Sequence, residues 1–159
     1  MKRLLVNPNS GKGRSRRALG ILQALAQETG IELQLSRSAE DLVARSRQAV
    51  EDGVERLLVV GGDGTFHYVA QSLARSGCAL GIIPAGRGND FASCLNIPTD
   101  IESAVRFAIE GPTREIDLGR VDDRYFTGYC GVGFDSEAAE VARTAPGLLI
   151  GPLPYIYGV

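Results

Sequence analysis

The stretch Leu57–Ala74, LLVVGGDGTFHYVAQSLA, decides the fold class. Leu57 to Val60 is a short apolar run that reads as a buried strand. It stops at Gly61-Gly62-Asp63-Gly64-Thr65, and a helical pattern runs from Thr65 to Arg75. Glycines between a strand and a helix let backbone N–H groups approach an anion without Cβ interference, and the helix N-terminus adds partial positive charge. The turn is read as one that handles phosphate.

The same alternation extends in both directions. Leu4-Leu5-Val6 is a first strand that ends at Asn7-Pro8-Asn9-Ser10-Gly11-Lys12-Gly13. From Arg14 the pattern is helical, with Ala18, Leu22, Leu25 and Ala26 on one face, and it stops at Gly30. Ile31 to Ser36 is strand-like. A second helix carries Ala39, Leu42, Val43, Ser46, Ala49 and Val50 and closes at Gly53. Ala79 to Ile83 is a fourth strand, leading into Pro84-Ala85-Gly86-Arg87-Gly88-Asn89-Asp90-Phe91, and a further helix runs from Ile101 to Glu110. Short apolar strands alternating with helices predict a parallel sheet covered on both faces, a three-layer α/β domain. Gly111-Pro112 punctuates the pattern. Arg114 to Val121 and Tyr125 to Phe134 then read as two strands joined by a hairpin turn at Asp122-Asp123-Arg124. A boundary is therefore expected near Gly111, with residues 1–111 the α/β domain and 112–159 the start of a β-rich second domain. The end, GPLPYIYGV, has no capping or stop signal and reads as cut.

Composition limits the partners. The 159 residues suit one domain plus a piece of another, and 44% hydrophobic with 23% charged residues allows a real core. A net charge of −2 gives no support to nucleic acid or to membrane as a bulk partner. Cys78, Cys94 and Cys130 are an odd count without pairwise spacing, predicting reduced, buried thiols in a cytoplasmic protein. No stretch approaches the roughly 20 apolar residues of a membrane span.

Ligands of open parallel sheets bind beyond the carboxyl ends of the strands. Three glycine-rich loops leave strands at that edge: Asn7 to Gly13, Gly61 to Thr65, and Gly86 to Asp90. None is a Walker A loop, because Gly11-Lys12-Gly13 lacks both the spacing and the hydroxyl. No G-x-G-x-x-G follows the first strand directly, so a dinucleotide fold is disfavoured. Lys12, Arg14, Arg16 and Arg17 sit where a helix begins, and a bound anion would offset their unfavourable position on its dipole. Asp63 beside phosphate calls for a cation between them, so Mg²⁺ organisation is one role for it, and bonding within its own turn is another. Thr65 can cap its helix or bond a phosphate oxygen. His67, the lone histidine, is given no proton-transfer role, and Cys94 and Cys130 are read as packing residues. Hairpin structure accounts for Asp117 and Asp135.

In order and spacing, NPNSGKG, GGDGTFHYVA, PAGRGNDFASCLNIP and REIDLGRVDDRYFTGYCGVGFD resemble the diacylglycerol kinase catalytic-domain family, which includes bacterial lipid kinases and sphingosine and ceramide kinases. The resemblance implies ATP-dependent, Mg²⁺-assisted phosphorylation of the hydroxyl of diacylglycerol or a similar lipid. It leaves peripheral contact with the inner membrane surface and a homodimer open. Carried over by position, Asn9, Ser10 and Gly11 would support the nucleotide. Gly61, Gly62, Asp63, Gly64, Thr65, Phe66 and His67 would line the phosphates, with Asp63 toward the metal. Ser36 matches a family threonine, Arg87 stands where many members have a nucleotide-contacting threonine, and Asn89 and Asp90 match the end of their block. His67-Tyr68 replaces an Asn-Glu pair. The family's catalytic carboxylate is expected beyond the end of this chain, so no catalytic base is assigned. Two other readings stay open on the residues alone: a kinase of a soluble small molecule or NAD, and a nucleotide-binding module without catalysis.

Overall fold

The computed structural model describes residues 1–131, and the chain divides into two compact units, Met1–Gly128 and Tyr129–Val159. Within the first unit, four parallel strands, β1 (Lys2–Val6), β2 (Glu32–Leu35), β3 (Arg56–Gly61) and β4 (Ala79–Pro84), form a sheet in the order β2-β1-β3-β4. The chain thus winds outward from β1 in both directions, and the order reverses between β1 and β3.

Strand alternation sorts the core into two halves. Leu4, Val6, Leu58 and Val60 face one side, where they pack with Leu22, Leu25 and Ala26 of α2 (Leu19–Thr29) and Ala104, Val105 and Ala108 of α6 (Ile101–Glu110). Leu5, Leu57 and Val59 face the other, against α3 (Ala39–Glu51), α4 (Asp63–Leu73) and α5 (Asp90–Cys94). The expected three-layer parallel architecture is the one observed. Both predicted helix stops are Schellman closures: Gly30 (φ +66°) and Gly53 (φ +69°) adopt the left-handed conformation. The N–H groups of Ile31 and Val54 then donate to the carbonyls of Ala26 and Ala49.

Some boundaries differ. The helix expected from Arg14 is broken at Ala18 into a single turn, α1 (Arg14–Arg17), and α2. The helix expected from Thr65 begins at Asp63, because Thr65 and Phe66 already donate to the carbonyl of Gly62. Helix α5 follows the third loop directly, and its five residues are too few to show a period in the sequence. The strand pair is shorter than expected, β5 (Gly119–Val121) and β6 (Arg124–Phe126), antiparallel across Asp122-Asp123. The compact unit runs past the boundary expected near Gly111 and takes in this hairpin. The Gln71 side-chain amide on α4 holds it, donating to the Tyr125 carbonyl at 2.7 Å and accepting the Tyr125 N–H at 3.0 Å. Cys78 is buried, and burial raises its thiol pKa, but Cys94 and Cys130 are exposed, against the expectation of packing. On the short α5, Phe91 and Ala92 take the inward positions and Cys94 falls on the outer side. Residues 132–134 of the expected strand, Asp135 and the terminal segment lie outside the described residues.

Candidate phosphate-binding cleft

The switch point between β1 and β3 brings the three glycine-rich loops into contact. Asn7 ends β1, and its N–H donates to the Val60 carbonyl at 3.0 Å, continuing the ladder. Its side chain then joins two loops: Nδ2 donates to Thr65 Oγ1 at 2.9 Å, and Oδ1 accepts the Asn9 N–H at 3.1 Å. The second and third loops touch backbone to backbone. A Cβ on Gly62 would lie 2.8 Å from Gly86 Cα, and one on Gly86 would lie 2.6 Å from Gly62 Cα. Gly62 has an extended backbone (φ −112°), so close approach requires glycine there and left-handed geometry does not. Gly11, at φ +60°, presses on the Ala85 carbonyl from the first loop.

Asp63 binds this frame together. Its Oδ2 accepts the Asn89 N–H at 2.9 Å and its Oδ1 the Phe91 N–H at 3.0 Å. The first residue of α4 therefore caps the N-terminus of α5, where Asn89 is left-handed (φ +61°) and supplies no side-chain cap of its own. Asn89 is occupied elsewhere: its amide accepts from Gly86 N–H at 2.7 Å and donates to Gly86 O at 3.2 Å. Arg14 Nη1 adds a bond to the same carbonyl at 3.3 Å.

Above the frame lies an open cleft of about 390 Å³ between the N-termini of α3 and α4. Asn7, Asn9, Ser10, Ser38 and Thr65 give it hydrogen-bonding groups, Gly62 and Gly64 expose backbone, and Ala39, Leu42 and Tyr68 form an apolar end. Thr65 and Phe66 N–H groups are used inside α4, so the helix's unshared N–H groups are those of Asp63 and Gly64. A Cβ on Gly64 would meet nothing within 4 Å, so that glycine is the one opening directly into the cleft. The other helix end is closed by Ser38, whose hydroxyl accepts the Asp41 N–H at 3.1 Å. The open N-terminus of α4 and a set of neutral donors suit an anion.

The structure sorts the expected site residues. Asn9, Ser10, Gly62, Gly64 and Thr65 line the cleft. Gly11, Gly61, Asp63 and Asn89 build the frame beneath it. Phe66 does not reach the cleft; it is fully buried and packs near Phe91, with ring centroids 6.3 Å apart. Ser36 is also buried, and its hydroxyl donates to the Val6 carbonyl at 3.3 Å. The next serine along, Ser38, takes the cleft position instead. His67 and Arg87 are off the lining, and Arg87 is exposed. Asn7 comes from the first of the expected loops, whereas Ser38, Ala39, Leu42 and Tyr68 are additions from the structure. For Tyr68 a signal was present, since it follows Gly64 by four residues and shares its helix face. As to metal, no group of three or more His, Cys, Asp or Glu side chains is placed to hold an ion among the described residues. Both Asp63 oxygens already accept N–H groups, although each keeps a lone pair. These residues do not form a cage for a resident ion.

The fold and cleft define a parallel α/β domain with a glycine-lined polar cleft at its switch point. Comparison with known proteins gives the family. The model of the diacylglycerol kinase catalytic domain matches residues 2–121. A diacylglycerol kinase of Staphylococcus carnosus is 32% identical over 157 residues, covering 96% of this chain and 51% of that protein. One from Staphylococcus saprophyticus is 32% identical over 160 residues, covering 96% and 52%. The crystal structure of a diacylglycerol kinase from Bacillus anthracis superimposes with a TM-score of 0.73 at 24% identity, covering 90% of this chain and 52% of that one, and supports the fold. The chain belongs to the diacylglycerol kinase catalytic-domain family. It spans about half the length of the curated relatives it matches.

Proposed function

We propose that this chain is the nucleotide-holding part of an ATP-dependent lipid kinase, which transfers the γ-phosphoryl group to the hydroxyl of diacylglycerol or a related lipid. The observation that carries this reading is the cleft between the α3 and α4 N-termini, floored by Gly62 and Gly64 at the switch point of the sheet. Phosphoryl transfer depends mainly on positioning and on neutralising charge. Here the Asp63 and Gly64 N–H groups would hold phosphate oxygens, and the Ser10 and Thr65 hydroxyls would orient them. Mg²⁺ arriving with the phosphates would supply charge neutralisation on them, and Asp63, in the frame beneath the cleft, is the carboxylate proposed to hold it. No carboxylate lines the cleft. This part of the chain therefore positions the donor, and the group that activates the acceptor hydroxyl is expected from the remainder of the family's catalytic unit. Peripheral attachment to a membrane surface belongs to the same proposal; among the described residues no helix is long and apolar enough to cross a membrane.

Titration calorimetry of Mg-ATP tests the donor half. The parent chain should bind, and Gly64→Val, whose side chain enters the cleft without striking the frame, should bind more weakly at an unchanged unfolding midpoint. Absence of binding by the parent chain refutes it. Transfer of label from γ-labelled ATP to diacylglycerol in mixed micelles, against glycerol and NAD as soluble acceptors, tests the acceptor.

A further inference from the structure

Tyr68 is a large aromatic residue left 46% exposed on α4, with its ring edge-on to that of His67 at 5.9 Å between centroids. It follows Gly64 by one helical turn, so the two are neighbours about 5–6 Å apart on one face. Tyr68 also lines a second, shallower cleft of about 300 Å³, whose wall continues with the aliphatic Val43 and Ala44 of α3 and whose rim carries Glu40 and Arg47. Ala39 and Tyr68 belong to both clefts, so the two are continuous.

The two compartments differ in chemistry. The first presents backbone N–H groups, hydroxyls and amides. The second has an aromatic wall and small aliphatic groups, and the Glu40 carboxylate on its rim repels phosphate. The hydrogen bond with the Ser38 hydroxyl, followed by backbone hydrogen bonding, lowers the Glu40 pKa and favours that charge. A flat, neutral heterocycle meets neither objection: its face stacks on a ring, and its edge groups find an acceptor in Glu40 and a donor in Arg47.

We infer that the Tyr68 ring is the platform on which the purine base of the bound nucleotide stacks, making Tyr68 a positioning residue for the donor. The inference rests on the nucleotide reading above. Phosphates over Gly64 and a base over Tyr68 lay the nucleotide along α4, with its phosphate end toward the three-loop frame. Binding energy from the base then orients phosphates that the neutral first cleft holds without a charged clamp among its lining side chains.

The test compares Mg-ATP with Mg-tripolyphosphate, which has the phosphates and no base, by calorimetry on the parent chain, Tyr68→Ala and Tyr68→Phe. Tyr68→Ala should weaken ATP roughly ten-fold, as loss of one stacked base does, and leave tripolyphosphate unchanged. Tyr68→Phe should keep ATP affinity. Because the sequence has no tryptophan and five tyrosines, tyrosine emission is a second readout. ATP should alter it in the parent chain and not in Tyr68→Phe, and tripolyphosphate should alter it in neither. Circular dichroism confirms that the half-exposed position tolerates both changes. Equal weakening of both ligands, or an unchanged ATP affinity in Tyr68→Ala, overturns the stacking role while the nucleotide reading stands. Parent binding of tripolyphosphate as tight as ATP also overturns it. If the parent chain binds neither ligand, the nucleotide reading itself fails and takes this inference with it.

Discussion

At the amino-terminal edge of the sheet, three long cations are each paired with an anion or a helix end. Arg3, almost fully buried, reaches Glu32 at 3.0 Å and Asp52 at 2.8 Å. Arg56 gathers the last carbonyls of α6, those of Ala108, Ile109 and Gly111 at 2.7–3.1 Å, and the Thr113 hydroxyl at 2.8 Å. Lys2 adds the Ile109 carbonyl at 2.8 Å. At the carboxyl-terminal edge the finishing groups are small: glycines in backbone contact, one aspartate capping a neighbouring helix, and neutral amides and hydroxyls around an open cleft. Cations at the first edge neutralise the negative end of α6, so its polar groups are consumed by the fold. The second edge closes the N-terminus of α3 with Ser38 but presents the positive end of α4 and leaves space in front of it. One edge spends its hydrogen bonds on stability, and the other keeps some for a ligand.

Substitutions can break that contrast. The largest effect is expected from Gly62→Ala, whose methyl group would strike the Gly86 backbone. A loss of about 3 kcal/mol is expected in urea unfolding, with binding lost alongside it. Arg56→Ala should come next, at about 2 kcal/mol, because partly buried carbonyls at the end of α6 lose a charged donor. Its Mg-ATP affinity should stay at the parent value, and a change there would mean the two edges are coupled. Asp63→Asn should cost about 1 kcal/mol by turning one capping oxygen into an amide that faces an N–H. A loss of Mg-ATP binding in that variant with no loss of stability would instead make Asp63 a ligand group first and a cap second.

Acid gives the amino-terminal edge its own signature. The Glu32 carboxyl is held below its ordinary pKa by the Gln34 amide first, with Arg3 adding to it against a smaller opposing effect of burial. The Gln48 amide and then Arg3 do the same for Asp52. A depressed folded-state pKa contributes stability that is present above the unfolded value, near 4, and is lost as pH falls through the folded one. The thermal midpoint should therefore drop below about pH 4, and Arg3→Met should flatten that drop. The smallest effect sharpens the comparison most: Gly64→Ala should raise stability by about 0.5 kcal/mol, since its Cβ meets open space in a helix, and yet should not improve ligand binding.

Much of this was legible in the residues. The strand–helix alternation, both glycine stops and the three loops at one edge follow from local patterns that survive folding, because each is set by periodicity or backbone freedom within a few residues. The site was read less completely. Asp63 looked like a metal or turn residue, since nothing local shows that its partners are the N–H groups of Asn89 and Phe91, 26 and 28 positions on. Phe66 stood inside the motif and so looked like a contact, but its helical position turns it to the core. Ser36 and Ser38 both follow β2, and only the register with β1 separates the buried hydroxyl from the one in the cleft. Tyr68 lay in view as a departure from the family pattern, without the neighbouring helix that gives its ring a second wall.

The sequence by itself determined the class of the domain, the edge at which its glycine-rich loops gather and the family to which it belongs, because periodicity and glycine placement act over short stretches of chain. Only the tertiary structure decided which glycines pack on each other and which one opens to a ligand, and that Asp63 closes a helix in another loop. Those assignments depend on contacts between segments tens of residues apart, and the spacing of residues along one strand or helix carries no record of what approaches it in space.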